Sequence, residues 1–418
     1  MLSLPRTRIH LVQLTSIIVN FFTVISDQRE RANTVRAAAR TGWRPCRRVC
    51  LLALAVSVGW LAQPTTAEDT TTIAPIVENG TAWYDVTQWG VEGQGWTDTA
   101  RPFDRLPAKA EGVVRDAVWN LSRHSAGMCV RFETDATKIV ARYKLTSSSL
   151  AMPHMPATGV SGLDLYAQDD AGRWRWLGVA RPAAQQVTAT LAQGLAPGRR
   201  AYMIYLPLYN GVESLEVGVP NGAALTPVPP RDVKPIVYYG TSIAHGACAS
   251  RPGMAFPSIL GRRLDRPVIN LGFSGNGRME PEVAALLAEI DAALFVIDCL
   301  PNMQADTVDE RAEPLVRILR KARPNVPIVL VEDRTYANTI FLPSRRERHT
   351  TSRAALKAAY ERLLADGIAG LHYVEGEHLL GDDGEATTDS SHPSDLGMVR
   401  MADALMPVLK PILADACQ

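Results

Sequence analysis

From Ile236 onward the chain carries five short, continuously apolar runs: "IVYYG", "PVINLGF", "AALFVIDCL", "PIVLVED" and "LHYVEGE". Between and after them lie stretches of helical periodicity, "MAFPSILGRRL", "EPEVAALLAEI", "VDERAEPLVRILRKA", "SRAALKAAYERLLAD" and finally "LGMVRMADALMPVLKPIL". A run that is apolar at every position reads as a strand covered on both faces. Strands that alternate with helices in this way build a parallel sheet between helical layers. Residues 236–418 are therefore expected to be α/β. In such sheets the reacting groups gather outside the carboxyl ends of the strands.

The preceding part has a different texture. Over residues 75–225, segments such as "MCVRFET", "KIVARYKL", "GLDLYAQ", "RWRWLGV", "QQVTATL", "RAYMIYLPLY" and "VESLEVGV" alternate apolar and polar residues with period two. That pattern predicts half-buried antiparallel strands, hence a β-sandwich of the jelly-roll kind. "DDAG" between two of these segments reads as a hairpin turn. "TPVPPRDVKP", residues 226–235, reads as a stiff linker because proline fixes φ and removes backbone donors.

Residues 1–67 read as an N-terminal extension ending in a secretory signal. Arg44, Arg47 and Arg48 precede an apolar run from Val49 to about Ala62, and small residues follow up to Ala67. The run is short for a spanning helix, so cleavage near Ala67 and a secreted or periplasmic product are expected, with no stable membrane anchor. Upstream, "LVQLTSIIVNFFTVI" is a second, weaker hydrophobic stretch. The 44 Lys and Arg residues balance 43 Asp and Glu, which excludes the basic footprint of a nucleic-acid partner. Cys46 and Cys50 fall in the signal; Cys129, Cys248, Cys299 and Cys417 are scattered, giving neither a disulfide framework nor a zinc pattern. No metal or cofactor is expected. Cys299, inside an apolar run, reads as a buried core thiol.

The strand ends carry the chemistry. Thr241 and Ser242 follow the first strand, "GFSGNG" the second, "LPNM" with Asn302 the third, and "DSSHPSD" with Asp389 and His392 precedes the last helix. A serine hydroxyl becomes a nucleophile when an imidazole takes its proton, and the imidazole needs a carboxylate to fix its tautomer. Ser242, His392 and Asp389 supply those types. An oxyanion needs preorganised donors. The backbone N–H groups of Ser242 and Gly275 and the amide of Asn302 fit that need. Taken singly, Ser242 reads more readily as a helix N-cap, and Asn302 and Gly275 as ordinary turn residues; it is the blocks together that favour the catalytic reading. His245, three residues past Ser242, is a rival base on the helix side. Gly272, Gly275 and Gly277 have the wrong spacing for a dinucleotide loop.

These blocks resemble the SGNH (GDSL-type) hydrolase family, whose defining Ser, Gly, Asn and His stand in separate blocks. Ser242 in "YYGTSI", Gly275 in "INLGFSGNG", Asn302 in "DCLPNM" and the pair in "DSSHPS" match in family order. The resemblance implies a flavodoxin-like three-layer α/β/α fold and an acyl-enzyme on Ser242. Thr241 stands where the family usually has aspartate, and Met303 where a second aspartate is usual. "GLDLY", Gly162 to Tyr166, resembles the Gly-x-Asp-Leu-Tyr signature of a β-rich domain preceding one branch of these hydrolases. Members of that branch imply an exported esterase acting on acylated carbohydrate, with O-deacetylation the expected reaction. A lipase, a thioesterase, or a non-catalytic glycan-binding protein with a degenerate hydrolase half are the alternatives. Arg251, Glu332 and Arg334, near the predicted edge, and His154 are candidate substrate contacts, with solvated or structural roles as the plainer reading. Trp83, Trp89, Trp96, Trp119, Trp174 and Trp176 all lie in the first half, as core or as a glycan platform.

Overall fold

The structure is a computed structural model and describes residues 73–415, so the signal-like segment 1–67 and Cys417 lie outside the described residues. The first half contains β1 (Ile76–Glu78), β2 (Thr81–Asp85), α1 (Asp116–Ser122), β3 (Cys129–Thr134), β4 (Lys138–Leu145), α2 (Ala157–Val160), β5 (Asp164–Gln168), β6 (Trp174–Val179), β7 (Gln186–Gln193), β8 (Arg200–Tyr205), β9 (Val212–Pro220) and β10 (Leu225–Val228). They form two antiparallel sheets of five strands, ordered β1-β2-β9-β4-β7 and β10-β3-β8-β5-β6. Ile139, Ala141 and Val217 of one sheet share a hydrophobic cluster with Val130, Phe132 and Ile204 of the other. The period-two alternation thus fills one common core.

One expectation fails here. Residues 226–228, read as linker, pair with β3, and Pro227 sits opposite Phe132. β10 is at the sheet's edge. An edge strand makes ladder bonds on one side only, and so tolerates the missing N–H.

The second half contains β11 (Ile236–Gly240), α3 (Ser242–His245), α4 (Phe256–Arg263), β12 (Val268–Gly272), α5 (Pro281–Leu287), β13 (Leu294–Asp298), α6 (Ala305–Ala322), β14 (Ile328–Val331), α7 (Pro343–Ala365), β15 (Leu371–Val374) and α8 (Asp395–Asp415). The sheet is parallel, in the order β12-β11-β13-β14-β15. Its strands are largely apolar because both faces are covered; Asn270 in β12, Asp298 at the end of β13 and His372 in β15 are the polar exceptions. Val237 and Tyr239 join a cluster with α5, α6 and α7, while Ile236 and Tyr238 join another with α4 and α8. Each such fully buried apolar side chain contributes about 1.5–3 kcal/mol. The chain order reverses where β11 lies between β12 and β13, which is the switch point that opens a crevice at the strand ends.

The halves interlock. Arg105, buried, reaches from the first half under β12 and donates through Nη1 to the carbonyls of Asn270 (3.1 Å) and Gly272 (2.7 Å). Among the described residues no helix is long and apolar enough to cross a membrane.

Candidate active site

β11 ends at Gly240, and Thr241 turns the chain with extended backbone, φ −103° and ψ −157°. Thr241, not Ser242, is the N-cap of α3: its Oγ1 accepts from the amide of Ile243 at 3.4 Å. The hydroxyl of Ser242 is therefore free of the capping role. Ser242 is 7 % exposed, and its Oγ lies 2.9 Å from Nε2 of His392.

His392 reaches Ser242 from the loop before α8. Its Nδ1 lies 2.7 Å from Oδ2 of Asp389, and the other carboxylate oxygen accepts from the amides of Ser391 (3.0 Å) and His392 (2.7 Å). With Nδ1–H donating to Asp389, Nε2 is left to accept from the serine hydroxyl. Partial burial opposes ionisation of Asp389, but the hydrogen bonds from His392 and Ser391 and the His392 ring outweigh it and hold the carboxyl at about 2. It is ionised over the whole neutral range.

The loop is gripped from outside. Ser390 sits at φ +71°, its carbonyl accepts from the amide of Ala337 (3.0 Å), and its hydroxyl accepts from Arg345 (2.8 Å). Arg334 donates to the carbonyl of Ser391 at 3.0 Å and also to its hydroxyl. Arg334 in turn pairs with Asp333, a fully buried carboxylate that also accepts from Arg348 at 2.8 Å. Arg348 donates to the carbonyl of Pro301 at 2.6 Å, the residue before Asn302. One buried carboxylate thus ties the histidine loop to the asparagine turn.

The turn after β12 approaches β11 closely. A Cβ at Gly277 would stand 2.0 Å from the Gly240 carbonyl, and Gly275 adopts φ +70°, where other residues are strained. Asn302 ends a short turn after β13 and lies against this loop. The amide orientation that satisfies its neighbours has Oδ1 accepting from the amides of Asn276 (3.1 Å) and Gly277 (3.3 Å). Its NH₂ is then turned away from that backbone and available to another acceptor. Ser242 opens α3, whose leading N–H groups have no intrahelical acceptor.

The remaining candidates separate. Exposed His154, from the first half, places its ring 6.3 Å from that of His392. Glu332 does not face a ligand: its carboxylate accepts from Tyr373 (2.7 Å) and the Gly376 amide (2.8 Å), beside Arg353. Arg334, 2 % exposed, acts within the protein instead of on substrate. Arg251 is held by Asp164 (2.8 Å) and Tyr166 (2.5 Å) and lines a separate groove. His245 is fully buried, stacked on Tyr209 at 4.1 Å, and burial pushes its imidazole well below the usual range, so it remains neutral. Tyr209, whose hydroxyl donates to the Ser242 carbonyl at 3.2 Å, and the Asp333–Arg348 pair escaped the sequence reading. No spacing signals them: Tyr209 comes from the first half, Asp333 follows β14 and Arg348 sits within α7.

Comparison with known proteins agrees with this architecture. The sequence profile of the GDSL-like lipase/acylhydrolase family matches residues 233–410, and that of the GxDLY N-terminus of SGNH-hydrolase-type esterases matches 81–225. A Bacteroides ovatus crystal structure described as a GDSL-like lipase is 32% identical, with a TM-score of 0.76, covering 80% of this chain and 98% of its own. The salicylyl-acyltransferase SsfX3 of a tetracycline biosynthetic pathway shares the fold at 18% identity (TM-score 0.62, 81% and 96% covered). A family two carbohydrate esterase from Cellvibrio japonicus does so at 13% identity (TM-score 0.52, 81% and 99% covered). A search of curated proteins found no match. A parallel sheet with Ser242, His392 and Asp389 hydrogen-bonded in series at its switch point, and a relative of nearly the same span, lead to one assignment: the chain belongs to the GDSL-like lipase/acylhydrolase family of carboxylic ester hydrolases.

Proposed function

We propose that the protein is an exported serine esterase that removes O-acetyl groups from carbohydrate. The observation that carries the mechanism is the chain of contacts from Ser242 Oγ to His392 Nε2 (2.9 Å) and from His392 Nδ1 to Asp389 (2.7 Å). As Oγ bonds to the ester carbonyl carbon, its proton passes to Nε2. The tetrahedral oxyanion is met by the N–H groups of Ser242 and Gly275 and by the Asn302 amide. The C–O bond to the sugar then breaks, the sugar oxygen takes the proton from His392, and an acetyl group remains on Ser242. Water, deprotonated by His392, releases acetate and restores the serine. Asp389 stays ionised throughout and stabilises the imidazolium.

A small acyl group suits a serine that is only 7 % exposed. Export is supported by the basic, apolar, small-residue order before Glu68. We read residues 75–228 as a jelly-roll-like β-sandwich, 229–235 as the connection and 236–418 as the catalytic domain. The two antiparallel sheets with one shared core support the first of these. A fold of this kind also serves the carbohydrate esterase of Cellvibrio japonicus.

A lipase- or thioesterase-like preference is the second reading. Ile340 and Phe341 are 70 % and 77 % exposed on the segment whose Ala337 amide bonds the Ser390 carbonyl, an apolar tip near the histidine loop. Turnover of p-nitrophenyl esters from acetyl to octanoyl, together with acetate release from acetylated polysaccharides, decides between them. Fastest turnover of acetyl and release from a polysaccharide support the deacetylase. A steady rise with chain length refutes it. Equal, slow turnover by wild type and Ser242→Ala refutes the catalytic assignment altogether.

A further inference from the structure

We propose that the groove between β6 and α4 is a glycan-binding subsite distinct from the serine centre, with Trp176 as its stacking platform; this rests on the carbohydrate reading above. The groove has a volume of about 620 Å³ and is lined by Tyr166, Trp174, Trp176, Arg251 and Arg262 among others. Trp176 is 49 % exposed, yet its ring is not free to swing. Its Nε1–H donates to Oδ1 of Asp164 at 2.8 Å, and Asp164 is fully buried. The second oxygen of Asp164 accepts from Arg251 and from the Gly253 amide, both at 2.8 Å. The Arg251 guanidinium lies 4.9 Å from the indole centroid, against one side of the ring.

An indole left half in water forgoes much of its hydrophobic stabilisation, and fixing its orientation removes rotamer freedom. The hydrogen bond satisfies buried Asp164, but the exposed part of the ring gains nothing in folding. An exposed ring and a fixed orientation are both what a flat sugar face requires, because a platform already ordered lowers the entropy lost on binding. Trp174 stands two residues earlier on the same strand face and lines the same groove.

The charges in the groove specify the ligand further. Arg251 is paired with Asp164, Arg173 with Asp169 and Arg263 with Asp403. Arg262 donates to the carbonyls of Gly253 and Ser258 and stacks on Tyr166 at 4.1 Å. Three of the four guanidiniums lining the groove are ion-paired, Arg262 spends its donors on carbonyls, and Asp265 adds a carboxylate to the lining, which favours a neutral, hydroxyl-rich chain over a uronate or a phosphate. The position suits a polymer whose ester lies at Ser242. Ser250, next to Arg251, hydrogen-bonds Asp395 through its amide (2.9 Å) and hydroxyl (2.5 Å). Asp395 is three residues past His392, a span of at most about 10 Å. The "GLDLY" motif thereby acquires a physical role: Asp164 orients both the indole and the arginine behind it.

The test uses the full chain and the variants Trp176→Ala and Trp176→Leu, the second keeping apolar bulk without a ring face. Three quantities are measured: kcat/KM for p-nitrophenyl acetate, KM and kcat for acetate release from acetylated glucomannan and xylan, and calorimetric binding of unacetylated cello-, manno- and xylohexaose. The expected result is unchanged turnover of the small ester, which also reports intact folding. KM on polymer rises about tenfold with kcat unchanged, and hexaose affinity falls by the same factor. Polymer KM and hexaose affinity equal to wild type in both variants overturn the subsite while leaving the deacetylase reading intact. Loss of small-ester turnover in both variants also overturns it, by making Trp176 a structural residue. If the wild type hydrolyses the small ester but neither binds a hexaose nor releases acetate from polymer, the carbohydrate reading falls and the subsite with it.

Discussion

Replacing Arg334 by lysine tests whether the histidine loop is held from outside or sets its own shape. Arg334 is buried, pairs with Asp333, and holds Ser391 at two points, the carbonyl at 3.0 Å and the hydroxyl. Ser391 lies between Asp389 and His392, so movement there displaces the imidazole relative to Ser242. Lysine keeps the positive charge beside Asp333 but has no planar fork with which to grip two acceptors. Hydrogen bonds from charged donors are worth about 1.5–3 kcal/mol each, so the loop loses a few kcal/mol of restraint. Asp389 still accepts from the Ser391 and His392 amides, which keeps part of the geometry. A misplacement approaching 1 Å costs up to about 100-fold in rate, so kcat is expected to fall ten- to a hundredfold with KM for p-nitrophenyl acetate nearly unchanged. Arg334→Met removes the charge as well. Asp333 then retains only Arg348 among these two partners, and breaking a buried pair costs about 3–5 kcal/mol, so its melting temperature falls further than that of the lysine variant. The two variants should nevertheless share the same kcat loss. If kcat stays within twofold of wild type in the lysine variant, or follows melting temperature across the two, the external grip is not what positions His392.

Asp389→Asn removes the charge that stabilises the imidazolium and lowers kcat by about 10²–10⁴, read in steady-state hydrolysis of p-nitrophenyl acetate at pH 7. In the proposed mechanism Asn302 is one of three oxyanion donors, so Asn302→Ala is expected to lower kcat by about 10²–10³ with no comparable change in KM. Asp298, buried at the end of β13, has its carboxyl pushed up to about 7 by burial, against the opposing hydrogen bond from Tyr238. The folded state then holds a proton that the unfolded chain has released, so stability falls as pH rises from about 4 to about 7, by at most roughly 4 kcal/mol. Urea unfolding at pH 4.5, 6 and 8 should show that slope in the wild type and a flatter one in Asp298→Asn; parallel slopes would refute the assignment.

The parallel sheet was legible because burial on both faces leaves "IVYYG" and "LFVI" continuously apolar. The strand-end residues could be named from the same pattern, since a strand's carboxyl end is a definite place in the chain. Side-chain direction was not legible. Glu332 and Arg334 stand at the end of β14 as expected, but both turn toward neighbouring loops, and nothing in "VEDR" records that. Gly275 and Asn302 were singled out chiefly by resemblance, because glycine and asparagine are common in any turn. Pro227 concealed an edge strand, because a proline argues against a ladder without saying which side of the strand is unpaired. Tyr209 escaped assignment to the site because period-two reading ends where a strand does, and it lies in the connection between β8 and β9.

Arg105 carries a consequence for how such proteins can be divided. Residues 229–235 invite a cut, and the second fragment would keep Ser242, Asp389 and His392. It would also leave the carbonyls of Asn270 and Gly272 without their guanidinium and Ser242 without the Tyr209 hydroxyl behind its carbonyl. Both carbonyls belong to β12, and Gly272 ends the strand that launches the Gly275 turn. The first half therefore supplies contacts on which the second half's strand ends are built, and a chimera with a foreign first half would need to import an arginine of the same reach.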